Sequence, residues 1–171
     1  MNVRRGGIAD ATDAARTLAV VAEEGSLATQ PPVDVDQRAQ RFRELVERGE
    51  PAALWVLEDD AGRQVGHIVV EESVPGVLTI GMAVLPEARG QGGGRNLLTA
   101  VQEHARAIGA HKISLEVWTD NAGAIALYTR AGFQVEGLRR DHYRRRDGTL
   151  KSALIMAWRA DTAREDPPRR G

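Results

Sequence analysis

The hydrophobic patterning of the chain predicts an α/β (α+β) fold, a mixed sheet with helices on its faces. Three observations carry that prediction. Short period-two segments and longer helical ones succeed one another in the order β-α-α-β-β-β-α-β-α-β-β. A glycine-rich turn, Arg89-Gly90-Gln91-Gly92-Gly93-Gly94-Arg95, separates a strand that ends at Pro86 from an apolar helical stripe of Leu97, Leu98, Val101, Ala105 and Ile108. At 171 residues the chain is long enough for one domain with a sizeable core, placed here over residues 1–162.

Val3 to Arg5 reads as a short first strand. Asp10-Ala11-Thr12-Asp13 is a helix start, followed by Ala14, Leu18 and Val21 on one face and stopped by Gly25. Ser26 to Val33, with Pro31-Pro32, is a loop. A second helix runs from about Asp36 to Glu47, presents Phe42, Leu45 and Val46, and ends at Gly49 and Pro51. Ala53 to Glu58 and Gln64 to Glu72 are strands of a hairpin turned by Asp59-Asp60-Ala61-Gly62. Val74-Pro75-Gly76 turns the chain into a strand at Leu78 to Leu85. Beyond the glycine loop and its helix, Gly109 breaks the chain, and Lys112 to Trp118 is a buried strand. Asn121 to Ala131 is a short helix closed by Gly132, Phe133 opens a strand, and Asp147-Gly148 turns into a last one, Leu150 to Trp158. Residues 163–171, charged and proline-containing, are expected to be disordered.

Composition narrows the function. Hydrophobic residues make up 42% and charged residues 27%, and the net charge is −1. The balance gives no overall pull toward nucleic acid or an anionic membrane. The chain has no cysteine, which removes disulfides, thiolate metal sites and a cysteine nucleophile. No apolar run reaches about 18 residues and no signal-peptide core follows Met1, so a cytoplasmic location is expected.

The glycine loop is the most telling feature. Opening a helix after a strand, it aims unpaired N–H groups and the positive end of a helix dipole at an anion, typically a phosphate. A P-loop is excluded, because Gly90 is followed five residues on by Arg95-Asn96 rather than Lys-Ser/Thr; a dinucleotide fingerprint is excluded because neither Gly90-x-Gly92 nor Gly92-x-Gly94 reaches a third glycine in register. Arg-x-x-Gly-x-Gly remains, and a merely flexible surface loop is the competing reading.

With these residues in hand, the stretch from about Leu78 to Trp158 resembles the GCN5-related N-acetyltransferases (GNAT), which bind acetyl-coenzyme A. Their Arg/Gln-x-x-Gly-x-Gly/Ala signature is met by Arg89, Gly92 and Gly94. A second signature, Asn-x-x-Ala-x-x-Leu-Tyr-x-x-x-Gly-Phe, is met by Asn121, Ala124, Leu127, Tyr128, Gly132 and Phe133. Leu115-Glu116-Val117 through Tyr128 looks most like the ribosomal-protein N-terminal acetyltransferases, in which a Glu twelve residues before the Tyr serves as base. The resemblance implies a mostly antiparallel, twisted sheet of about seven strands, splayed between the fourth and fifth, with about four helices. It implies a pyrophosphate held by Arg89, Gly90, Gln91, Gly92, Gly93, Gly94 and Arg95. A pantetheine arm would lie along Met82, Ala83 and Val84, near Asn121, Ala124 and Tyr128. The implied partners are acetyl-coenzyme A and a small-molecule amine or a protein N-terminus, with a homodimer as a further expectation and neither metal, nucleic acid nor membrane.

Acetyl transfer to an amine sets chemical demands that select candidates. An alkyl ammonium with pKa near 10.4 is neutral in roughly one molecule in a thousand at pH 7, so a base must take its proton. Backbone donors near Met82 to Val84 suit the developing oxyanion, and the leaving thiolate needs a proton. Glu116 is the candidate base, expected to be partly desolvated on one strand face with Ser114 and Trp118; a solvated or salt-bridged Glu is the alternative. Glu71, Glu72 and His67 are rivals, His67 being equally readable as structural. Tyr128 is the candidate acid, or else a core tyrosine beneath the coenzyme. Asn121 suits a helix cap or a pantetheine contact. The Arg139-Arg140 and Arg144-Arg145-Arg146 clusters read as a solvated basic loop or as attraction for an acidic substrate or the coenzyme 3′-phosphate.

No cysteine and no evident Ser-His-Asp set argue for direct transfer in a ternary complex. Many relatives carry an acidic residue where Lys151-Ser152 stand here, and the Arg139 to Gly148 segment is about one residue longer than in the ribosomal-protein enzymes. Both differences weigh against recognition of a peptide N-terminus. A non-catalytic acyl-coenzyme A-binding sensor or scaffold is the alternative of another class, opposed by the presence of Glu116 and Tyr128.

Overall fold

The computed structural model describes residues 1–160; the segment 163–171, expected to be disordered, lies outside the described residues. Seven strands form one sheet: β1 (Asn2–Arg5), β2 (Ala53–Glu58), β3 (Gln64–Val74), β4 (Val77–Val84), β5 (Lys112–Trp118), β6 (Gln134–Arg144) and β7 (Leu150–Arg159). Their order is β1-β2-β3-β4-β5-β7-β6. Every neighbouring pair is antiparallel except β4 and β5, whose parallel pairing requires a crossover. Helix α3 (Gly93–Ala107) supplies it.

Four helices cover the faces among the described residues. Helices α1 (Ala11–Glu23) and α2 (Val35–Arg48) pack on one side, where Leu18, Val21, Phe42 and Leu45 meet Leu54, Val56 and Ala83. On the other, α3 and α4 (Ala122–Arg130) bring Leu97, Leu98, Val101 and Tyr128 against Trp55, Leu57, Ile68, Leu78, Ile113 and Leu115. Strand side chains alternate between these two cores, as the period-two pattern demands. Burial of this kind, at about 25 cal/mol per Å² of apolar surface, is the principal force holding helices to sheet.

Helix starts show where local chemistry decided the structure. Asp34 caps α2, its carboxylate accepting from the Gln37 N–H at 2.9 Å, and Asn121 caps α4, accepting from the Ala124 N–H at 3.1 Å. Asp10, expected to cap α1, does not. A 3₁₀ turn (Ile8–Asp10) precedes the helix, and the Asp10 carboxylate takes the Gly7 N–H at 2.7 Å and the Arg4 guanidinium at 2.7 and 2.9 Å. An ionic, bidentate partner outcompetes a neutral cap.

Pairing between β4 and β5 lasts only from Val77–Lys112 to Thr79–Ser114. From Ile80 onward the two strands part. Each survives the separation because its outer neighbour holds it throughout: β3 pairs with β4 as far as Val84, and β7 pairs with all of β5. The result is a wedge-shaped gap in the middle of the sheet.

Candidate active site

A cleft of about 480 Å³ runs through this gap. On the α3/α4 side its wall includes Met82, Val117, Ala124 and Tyr128; on the α1/α2 side it includes Arg38, Phe42, His67, Ser114, Glu116 and Trp118. Met82, Glu116, Asn121, Ala124 and Tyr128, far apart in sequence, thus line one cavity. Ala83 and Val84, expected along the arm, do not line it: the Ala83 side chain is buried in the α1/α2 core, and Val84 packs toward the other.

The glycine loop stands beside the gap's α3/α4 side. Gly92 sits in the left-handed region at φ +86° and no side chain caps α3, in contrast to α2 and α4. The first bond inside the helix is from the Asn96 N–H to the Gly92 carbonyl. The N–H groups of Gly93, Gly94 and Arg95 therefore have no acceptor within the helix. A Cβ on Gly94 would come within 3.1 Å of Leu127 Cδ2 and 4.0 Å of Met82 Cε, so the loop adjoins both α4 and the cleft wall. An open cradle of backbone donors continuous with a slot between strands suits a phosphate carried on a narrow arm. Arg95 is exposed beside it, but Arg89, expected to serve the anion, is largely committed elsewhere. Its Nε donates to the Val84 carbonyl at 2.9 Å and its Nη2 pairs with Glu24 at 2.8 Å, tying the end of α1 to β4.

Tyr128 is 9% exposed, and its ring packs against Phe133 with centroids 5.7 Å apart. Its hydroxyl makes no hydrogen bond to another described residue, and burial pushes its pKa up to about 12. The group is a neutral O–H donor at any working pH.

Glu116 departs from expectation. Its side chain is 34% exposed rather than desolvated, and it carries partners. Arg139 Nε lies 3.1 Å from one carboxylate oxygen, as an ion pair poorly aligned for a hydrogen bond, and the Tyr143 hydroxyl donates to the other. A wide bulge in β6 delivers both. Residues Arg140 to His142 stand opposite Ser152 alone, with Asp141 at φ 48° and its N–H bonded to Ser152 Oγ at 2.9 Å. Bulges re-aim side chains, and here the bulge turns Tyr143 onto Glu116 and onto Trp118, ring centroids 5.1 Å apart.

The rivals separate clearly. Glu71 pairs with Arg48 at 3.2 Å on the surface and Glu72 accepts the Gly76 N–H at 2.8 Å; neither lines the cleft. His67 does line it. Fully buried against the Phe42 ring at 5.3 Å, it has its pKa pushed down to about 4, by desolvation first and by the nearby Arg38 charge second.

Two segments close the α1/α2 side. Leu27 to Thr29 overhang the cleft, and the β6–β7 hairpin is strapped to that loop. Arg145 Nη1 donates to the Leu27 carbonyl at 3.0 Å, the Arg146 N–H donates to Gln30 at 2.8 Å, and the Arg146 guanidinium donates to the Pro31 carbonyl. These two arginines latch the hairpin to the loop, although Arg146 stays exposed to solvent. Lys151 pairs with Asp120. Tyr143, Arg38 and the loop-to-hairpin strap escaped sequence reasoning, since no local pattern announces a bulge or a cross-chain latch. Among the described residues there is no cluster of His, Asp or Glu able to hold a metal, and no helix long and apolar enough to cross a membrane.

Comparison with known proteins agrees with this geometry. The sequence profile of the Acetyltransferase (GNAT) family matches residues 18–133. An L-methionine sulfoximine/L-methionine sulfone acetyltransferase of Pseudomonas aeruginosa is 32% identical over 113 residues, covering 63% of this chain and 64% of its own length. The [ribosomal protein bS18]-alanine N-acetyltransferase of Escherichia coli is 33% identical over 114 residues, 67% of this chain and 68% of that protein. The match thus spans just under two thirds of the first relative. Among solved structures, a ribosomal-protein-alanine N-acetyltransferase of Brucella melitensis superposes with TM-score 0.83 at 23% identity, covering 94% of this chain and 100% of that one. A phosphinothricin acetyltransferase of Sinorhizobium meliloti in complex with AcCoA gives 0.80 at 21%, over 99% and 94%. By profile, fold and motif together, the chain belongs to the GNAT acetyltransferase family.

Proposed function

We propose that this chain is an acetyl-coenzyme A-dependent N-acetyltransferase that passes the acetyl group directly to a primary amine. One observation carries the reading: the β4–β5 gap joins an uncapped glycine-rich helix start to a cavity with Glu116 on one wall and Tyr128 on the other. When bound, the coenzyme supplies the acetyl group as a thioester, whose C–S bond breaks as the N–C bond to the amine forms. The backbone N–H groups at Gly93 to Arg95 hold the pyrophosphate, and the unpaired edge of β4 beyond Thr79 positions the arm. Glu116 accepts the ammonium proton, directly or through water, while Tyr143 and Arg139 orient its carboxylate. Tyr128 donates its hydroxyl proton toward the leaving sulfur and recovers it as the amine proton is shed.

Small-molecule acceptors are favoured over a protein N-terminus. The relatives are named for both kinds of acceptor, but here the loop and hairpin that flank the α1/α2 side are strapped together by Arg145 and Arg146. A polypeptide acceptor would need that exit open.

Calorimetry and thioester turnover with an amine panel test the reading. Gly92→Val and Gly94→Val should abolish acetyl-coenzyme A binding, and unchanged affinity in both would overturn the site. Glu116→Gln should depress turnover most near neutral pH and progressively less as the pH nears the amine's own pKa; a profile parallel to wild type removes Glu116 as base.

A further inference from the structure

The α1/α2 wall of the cleft contains a cation without a counter-ion. Arg38, one turn into α2, is half-buried beside Phe42 and His67. No carboxylate among the described residues pairs with its guanidinium; burial and the neighbouring Arg41 charge both lower its pKa. Nearby, Arg139 is paired with Glu116, and Arg145 and Arg146 donate to backbone carbonyls. Glu116, in turn, already accepts from Tyr143.

Two ring nitrogens of the same wall, His67 Nδ1 and Trp118 Nε1, are buried and lack partners. The indole N–H and the guanidinium fork can only donate. On this wall the Arg38 guanidinium is a donor group with no partner carboxylate among the described residues, an arrangement completed by a ligand that brings acceptor oxygens. A half-buried guanidinium gains most from a planar, bidentate oxyanion. Arg38 sits across the sheet from the α3 cradle, so this demand is separate from that of the coenzyme phosphates.

We propose that Arg38, with His67 beside it, forms an anion subsite in the acceptor pocket. The amine acetylated here carries a carboxylate or phosphoryl-type group and is not a polyamine or other oligocation. The inference rests on the transferase reading and sharpens its substrate class.

The test compares matched acceptors: an α-amino acid, its amide, the decarboxylated amine, the corresponding aminoalkylphosphonate and a diamine. The carboxylate or phosphonate should exceed the amide in kcat/KM by about tenfold to a hundredfold, the range expected for one charge-assisted contact, with their relative rates separating the two anions. Arg38→Gln should bring acid and amide to near parity, chiefly through KM, and Arg38→Lys should restore part of the preference. Parity in the wild type, preference for the diamine, or equal slowing of every acceptor by Arg38→Gln overturns the subsite.

If no amine consumes thioester, the transferase reading fails and the subsite is judged alone, by imidazole-nitrogen NMR. Butyrate should then shift the His67 signals in the wild type and not in Arg38→Gln. Silence in both overturns the proposal.

Discussion

Under the proposed transferase reading, removing one oxygen from Tyr128 should slow acetyl transfer while leaving the fold as stable or more so. The ring and the hydroxyl of this residue have separable surroundings. The ring is 9% exposed and packed on Phe133, whereas the hydroxyl bonds to no described residue and is held neutral by burial, with a pKa of about 12. Tyr128→Phe keeps the packing and strands no partner. An unpartnered polar group costs about 1–3 kcal/mol when fully buried. This oxygen faces a cleft, so a gain between zero and about 1 kcal/mol is expected. In a chain of this size that is at most about 2–4 °C in Tm.

Turnover should move the other way. Proton donation to a leaving group is worth about 10²–10⁴-fold, and a thiolate is already a fair leaving group. A loss near 10²-fold, or about 2.7 kcal/mol of barrier, follows. Calorimetric Kd for acetyl-coenzyme A, steady-state kcat and a melting curve on the one variant decide the matter. Normal kcat with weakened coenzyme binding, or a Tm lowered by several degrees, would refute the division of labour between ring and hydroxyl.

Gly93 is the tightest point of the loop: a Cβ there would lie 2.4 Å from Leu57 Cδ2 in a fully buried side chain and 3.1 Å from Met1 Sδ. Gly93→Ala should therefore cost about 1–3 kcal/mol in urea unfolding by overpacking, together with coenzyme affinity; a neutral result would mean that the helix start is free to shift. His67 should make the fold acid-sensitive. The unfolded imidazole takes a proton near pH 6.5 and the folded one only near 4, so this contribution is intact above pH 6.5 and is lost as the pH falls. The loss is about 2 kcal/mol by pH 5 and about 3 kcal/mol below pH 4. His67→Gln should flatten that part of the stability–pH curve, and an unchanged slope would place the acid sensitivity elsewhere.

The sequence by itself determined the elements and the two motifs, because both are local. Leu97, Leu98, Val101 and Ala105 recur at helical spacing and lie in one core. Ser114, Glu116 and Trp118 alternate with Ile113, Leu115 and Val117, and the two sets face opposite sides of the sheet. Gly92 opens α3 in a left-handed conformation that glycine adopts without strain. Asn121 accepts from a neighbour three residues on and so starts α4. Only the tertiary structure decided what those groups meet. Arg89 was legible as a cation beside a phosphate loop, but its engagement with Glu24 depends on where α1 ends against β4. Glu116 was legible as a carboxylate on the right face, but its exposure and its partners depend on a bulge in β6 that no hydrophobic period encodes. Arg38 carries no signal in the sequence that separates it from the other charged residues of α2. Its standing as the unpaired cation of the cleft comes from α2 packing over His67, a contact between segments almost thirty residues apart. Side-chain period follows from the geometry of a single strand or helix, whereas charge pairing is settled across elements, where no one segment contains the information.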